Sequence, residues 1–191
     1  MSDVFGFDEE AAKKSGTMGI RSGVHEVTIE ECKRGKGTNG TTPAIYVEFV
    51  FESDSGAKAQ FVKLYLTGNN GEKVFGAGKW SALLGLLGLT EVSWKVDGDK
   101  QVTPTLLGKK IKVGLQKREY YNRNGEKKYG FEITHFFDIK TGCTYSEKRD
   151  NKPAKMIELP IEDIASVAKT NSGIMPDGAS IYDDQNNPLP F

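Results

Sequence analysis

The stretch Gly23-Val24-His25-Glu26-Val27-Thr28-Ile29-Glu30 alternates apolar and polar positions at period two, and its β-branched residues suit a half-buried strand. Residues 33–43 follow with the glycines, asparagine and proline of a mobile loop, which opens on the cations Lys33, Arg34 and Lys36. Ala44 to Glu52 and Ala57 to Leu66 then read as two further strands, joined by the turn residues Ser53-Asp54-Ser55-Gly56. Between Glu72 and Gly88, residues Val74, Phe75, Trp80, Leu83, Leu84 and Leu87 recur mostly every three or four positions, which predicts an amphipathic helix despite its glycines. A short strand is expected over Val92 to Val96, ahead of Asp97-Gly98. Lys109 to Tyr121 and Glu126 to Asp138 are long runs rich in β-branched and aromatic residues. Asn122-Arg123-Asn124-Gly125 between them supplies a tight turn, so the pair reads as a hairpin. Pro160 to Lys169 predicts a short helix with proline at its first position and Glu162 and Asp163 near its N-terminus. Residues 173–191 hold few structure formers and three prolines and are expected to be disordered; no internal repeat is visible.

Three strands, a helix and a two-stranded hairpin occur in the order of an OB fold, a five-stranded barrel with a helix between its third and fourth strands. The chain is therefore expected to be all-β with one or two short helices. Other small barrels and open sheets with one helix share that order. Residues 1–18 are expected to form a flexible acidic N-terminus, 19–157 the OB-like domain, and 158–191 a short helix followed by an acidic tail.

Strand parity assigns faces. Ile45, Val47, Phe49 and Phe51 share one face of the second strand and are expected in the core, which turns Tyr46 outward. Val62, Leu64 and Leu66 form the apolar face of the third strand and leave Phe61, Lys63 and Tyr65 on the other. OB folds bind oligonucleotides on these two strands, and every base offers a π-face for stacking on an aromatic ring. The same aromatics could instead cover a second small core beneath a terminal segment.

Charge sharpens this picture. The formal net charge is zero, yet residues 1–12 carry −4 and residues 158–191 carry −5, so residues 13–157, with 25 bases and 16 acids, carry +9. A basic body between acidic ends suits a polyanion ligand, although terminal charge also serves solubility. The hairpin region 109–129 alone holds eight cations, among them Lys110, Lys112, Arg118, Arg123, Lys127 and Lys128, against Glu119 and Glu126. Tyr120, Tyr121 and Tyr129 are interleaved with them. Lysines alone would read as protection of an edge strand, whereas aromatics among cations favour single-stranded nucleic acid.

The 191 residues suit one ordinary domain with appendages, and a hydrophobic fraction of 37% implies that part of the chain lies outside a core. The longest apolar stretch, residues 83–89, is too short to cross a bilayer. The opening residues lack a basic and apolar secretory signal, and Cys32 and Cys143 are only two thiols. A reduced cytoplasm is therefore expected. Candidate catalytic chemistry is sparse. Residues 71–80 superficially resemble a phosphate-binding loop, but the glycine before the lysine is misplaced and Trp80 stands where a magnesium-binding hydroxyl belongs. His25 with Cys32 and His135 with Cys143 lack the tight pairing of zinc ligands, and no acidic pair adjoins a base. No enzyme, metal or cofactor is expected.

The chain ends in Tyr182-Asp183-Asp184-Gln185-Asn186-Asn187-Pro188-Leu189-Pro190-Phe191, in which an acidic pair precedes prolines, an apolar residue and a terminal phenylalanine. Such a tip can seat Phe191 in a pocket while its carboxylate meets a cation. Asp183-Asp184 with Pro188-Leu189-Pro190-Phe191 resembles the acidic tip of bacterial single-stranded DNA-binding proteins, which ends in several aspartates and Ile-Pro-Phe; Gln185-Asn186-Asn187 departs from that pattern by diluting the acidic run. The body, with Val24 to Glu30, the helical stretch ending in residues 83–89, and residues 107–113, is similar to phage-encoded single-stranded DNA-binding proteins over roughly residues 19–140. The resemblance implies sequence-independent coating of single strands in the host cytoplasm during replication, recombination or repair, with the tip recruiting other proteins. RNA remains a possible ligand, because stacking and phosphate contacts serve both. An adaptor or virion structural protein on a small barrel, using its aromatics against protein, is the competing reading.

Overall fold

The computed structural model describes residues 20–37, 42–98, 100–121 and 125–165. They form a seven-stranded antiparallel sheet with two short α-helices. The first strand, β1 (Gly23–Lys36), is long enough to serve several neighbours. Its N-terminal half pairs with β6 (Lys110–Tyr121), and Val27–Lys36 pairs with β2 (Ile45–Ser53). β2 pairs with β3 (Lys58–Tyr65), and β6 with β7 (Lys127–Phe137). A small hairpin of β4 (Lys95–Asp97) and β5 (Lys100–Val102) attaches to β1 near Lys33 and Arg34. The hydrogen-bonded path does not close into a barrel: β3 and β7 lie against each other with no ladder between them.

One consequence corrects the loop expected over residues 33–43, because β1 runs on through Lys36. Alternation breaks at a β-bulge, where Ile29 pairs with Phe51 but Glu31 with Val50, leaving Glu30 as the extra residue. Side-chain parity reverses there, so Val27 and Ile29 and then Cys32 all point into the core.

That core is filled by Val47, Phe49 and Phe51 of β2, Val62 and Leu64 of β3, Ile111, Val113 and Leu115 of β6, and Ile133 and Phe136 of β7. The Phe49 ring stacks on Phe51 at 5.0 Å and meets Phe136 edge-on at 6.2 Å. Each such ring contributes about 1.5–3 kcal/mol by leaving water. Helix α1 (Phe75–Leu86) plugs the core with fully buried Leu83 and packs on both β3 and β7. It begins three residues later than expected, because Val74 N–H donates to the Leu66 carbonyl and Thr67 bridges Lys73. Its glycines serve approach. A Cβ on Gly76 would sit 2.0 Å from the Tyr65 carbonyl oxygen, so only glycine lets the helix rest on β3 backbone.

Val92, expected to open a strand, is irregular with its neighbours as far as Trp94, and β4 starts at Lys95. Trp94 stacks on Trp80 at 6.1 Å, covering the core instead of pairing. Helix α2 (Tyr145–Arg149) was not expected from the sequence; it is nucleated by a capping box between Thr144 and Glu147. The helix expected over residues 160–169 is not formed in its described part, residues 160–165. Instead Ile164 N–H donates to the Lys117 carbonyl at 2.8 Å and Glu119 N–H to the Ile164 carbonyl at 2.9 Å, a parallel bridge. β1 leaves β6 at Gly23, opposite Leu115, and the edge so exposed offers fixed partners that outweigh a marginal one-turn helix. The expected flexible N-terminus and acidic tail lie outside the described residues, save 158–165. No described helix is long and apolar enough to cross a membrane.

Candidate nucleic-acid interface

Register places the outward residues of β1, β2 and β3 in rows. Gly35, Tyr46 and Tyr65 form one row, and Lys33, Glu48 and Lys63 the next. Tyr46 lies over Gly35, where a Cβ would come within 2.5 Å of its ring, so the glycine is what lets the ring settle on the sheet. Its ring sits 5.6 Å from that of Tyr65, tilted by 58°, and Lys63 Nζ lies 4.7 Å from the Tyr46 ring centre. The structure thus brings Tyr46, Lys63 and Tyr65 together, as parity predicted.

Phe61 stands apart from the regular ladder. Phe49 pairs with Val62 but Phe51 with Ala59, so β3 carries an extra residue at a bulge. There Phe61 has φ +58°, in the left-handed region, and is 71% exposed. A bulky side chain in that conformation costs about 1–2 kcal/mol, and aromatic exposure adds to the cost. Residues held in such backbone cluster at functional sites.

The cations divide. Lys33 faces the tyrosine side and pairs with Glu31 at 2.7 Å, whereas Arg34 sits opposite Val47 and Gln101, on the other face of β1. Lys36 is exposed at the strand end. Arg34 therefore does not join Lys33 and Lys36 in a flanking loop, because all three belong to a pleated strand. Lys110 pairs with Asp54 of the β2–β3 turn at 3.0 Å, and Lys112 lies opposite Glu26 and Phe137.

Beyond Gly23 the β6–β7 hairpin continues as an arm. On one face Lys117 Nζ lies 4.3 Å from the Tyr129 ring centre and Lys127 Nζ 5.8 Å from it, while Lys127 pairs with Glu119 at 2.7 Å. On the other, Arg118 pairs with Glu132 at 3.0 Å, and Tyr120 is exposed opposite Lys128, which meets Glu126 at 3.1 Å. Arg123 and the tip residues Asp183, Asp184, Pro188, Leu189, Pro190 and Phe191 fall outside the described residues.

Sequence reasoning missed Glu48 and Lys100, and it did not foresee that Lys117 and Tyr129 meet on one face of the arm. Glu48 is recessed, with its side chain 11% exposed, and Lys63 and Lys100 approach its oxygens at 3.8 and 3.9 Å. Only the register could reveal it, since Lys100 arrives on the unforeseen β5. Lys79, the lysine of the loop motif, is half-buried and donates to the Ile133 carbonyl at 2.6 Å, with its ammonium over the Phe75 ring. Burial lowers its pKa, as burial and then the Lys79 charge lower that of His135. Burial also pushes the Cys32 thiol far above its ordinary range, which makes it unreactive. Among the described residues no group of histidine, cysteine, aspartate and glutamate could hold a metal ion. What the face offers is π-surface, hydrogen-bonding groups and cations already matched to carboxylates. Comparison with protein-family models and with curated protein sequences finds no match to this chain.

Proposed function

We propose that the chain binds single-stranded DNA with little sequence preference, as a non-enzymatic coating protein of replication, recombination or repair in the cytoplasm, host cytoplasm if it is phage-encoded. The observation that carries this reading is the cluster of Tyr46, Tyr65 and Lys63, with strained and exposed Phe61 on the same strand. Bases stacked on such rings contribute about 1–3 kcal/mol each. The strand order supports an OB-like barrel, with β6 and β7 in the place of its fourth and fifth strands and α1 against the unladdered β3–β7 seam. In that architecture the β6–β7 arm flanks the tyrosine face. Recruitment of replication or recombination proteins by Asp183, Asp184 and Pro188 to Phe191 rests on the sequence alone.

One observation favours a second reading, a protein-binding adaptor or virion component. Carboxylates pair with Lys33, Lys63, Lys110, Lys127 and Lys128, which lowers the positive potential a polyanion would meet. Fluorescence anisotropy with labelled dT, dA and RNA oligomers beside a blunt duplex, repeated across salt concentrations, separates the two. Strand coating requires single strands to bind far more tightly than duplex, with affinity falling linearly on a log–log salt plot. Equal affinity for duplex and oligo-dT at moderate salt would sink it.

A further inference from the structure

Glu48 is out of place on a face that meets a polyanion. It lies in the row between Lys33 of β1 and Lys63 of β3, beside the row of Tyr46 and Tyr65. A carboxylate there repels phosphate, and a lysine pair alone would not need it so deeply set. Its two ion pairs are long, 3.8 Å to Lys63 and 3.9 Å to Lys100, beyond hydrogen-bond reach. No hydrogen bond to its carboxylate is formed among the described residues. A recessed carboxylate therefore keeps its accepting capacity directly beside two rings suited to stacking, with the nearby cations too distant to hydrogen-bond it.

Resting on the strand-binding reading, we propose that Glu48 is a specificity-determining residue that accepts a hydrogen bond from the exocyclic amino group of a base stacked on Tyr46 or Tyr65. Cytosine N4, adenine N6 and guanine N2 carry such donors; the O4 of thymine and uracil is an acceptor and is repelled by the carboxylate. The subsite thus adds a modest preference for amino-bearing bases to otherwise sequence-tolerant stacking. Phosphates pass outside this row, because the carboxylate disfavours them at its centre.

The test compares oligo-dC with oligo-dU of equal length at neutral pH and moderate salt. These differ in the amino or carbonyl group at C4 and in the N3 proton that accompanies the carbonyl, so stacking and phosphate contacts are nearly matched. The wild-type chain is expected to bind dC about three- to tenfold more tightly, the effect of one solvent-competed hydrogen bond to a charged acceptor. Glu48→Gln is expected to bring the ratio near one, mainly by tightening dU, since the amide presents a donor to O4 and removes the repelling charge. Equal wild-type affinity for dC and dU overturns the assignment while leaving strand binding intact, and so does a folded Glu48→Gln variant with an unchanged ratio. Failure to bind either oligomer overturns the strand-binding reading as well. The wild-type ratio decides the matter even where the variant does not fold.

Discussion

Phe61 carries the sharpest conflict between local preference and observed conformation: a phenylalanine in left-handed backbone with most of its ring in water. Glycine adopts that backbone without penalty, so Phe61→Gly is expected to leave the fold as stable or raise its stability by up to about 1 kcal/mol. The same change should weaken single-strand binding by about 1–3 kcal/mol if the ring stacks a base. Urea unfolding and anisotropy read the two effects on one protein; a loss of stability without a loss of affinity would make Phe61 a structural residue. Glu147 is the opposite case, buried and fully engaged. Burial by itself would raise its pKa, but the Thr144 and Met156 N–H groups, the Thr144 hydroxyl and the Lys155 N–H donate to it and hold it at about 2, against an ordinary 4.5. A depressed folded pKa means stability present above pH 4.5 and lost as pH falls from there toward 2. Unfolding free energy is expected to drop by on the order of 3 kcal/mol across that window, and Glu147→Gln to be less stable at neutral pH with a flatter profile. An unchanged profile would count against this role. Neither role could be read in full from the sequence, since φ at residue 61 depends on a one-residue slip against β2, and two of the four donors to Glu147 lie eight and nine residues downstream.

Elements were legible where a run of alternating residues buries one face. β2, β3, β6 and β7 appear within a residue or so of their expected bounds because Val47, Phe49 and Phe51, or Ile111, Val113 and Leu115, keep strict alternation toward one core. β1 was cut short because the bulge at Glu30 reverses parity, and β5 was invisible because three residues, two of them exposed, carry no pattern. The cations of the arm were legible as residues but their carboxylate partners were not, and this bears on how they act. Among the described residues Lys112 has no ion-pair partner, whereas Lys110 must leave Asp54 before it can meet a phosphate. Lys112→Gln should reduce the slope of log affinity against log salt by up to about one unit, and Lys110→Gln by less. Asp54→Asn should raise affinity, because it frees the Lys110 ammonium without removing it. Titrating all three variants from low to moderate salt checks the order; a larger slope change for Lys110 than for Lys112 would mean that the Asp54 pair does not persist in solution.

At the scale of the whole molecule, the acidic C-terminal region and the basic arm are joined by the geometry of one short bridge. Ile164 is held between Lys117 and Glu119 on the free edge of β6, so the described chain ends at Ala165 beside the arm. The 26 residues that follow include Asp177, Asp183 and Asp184 and start from an anchor on the positively charged hairpin. Tethered opposite charges meet at high effective concentration. Removing residues 182–191 is therefore expected to strengthen single-strand binding modestly at low salt, with the gain shrinking as salt rises and the Debye length falls to about 8–10 Å. Phe191→Ala leaves Asp183 and Asp184 in place and should not strengthen DNA binding, yet it should abolish capture of replication proteins as fully as the truncation does. Ile164→Pro removes the N–H that meets Lys117 and frees the anchor; it should reduce the effect of truncation at low salt, because a longer tether lowers the local concentration of acid. Parallel anisotropy titrations of the full chain, the truncation and the two variants settle this. If truncation weakened DNA binding, the tail would belong to the binding surface instead of competing for it.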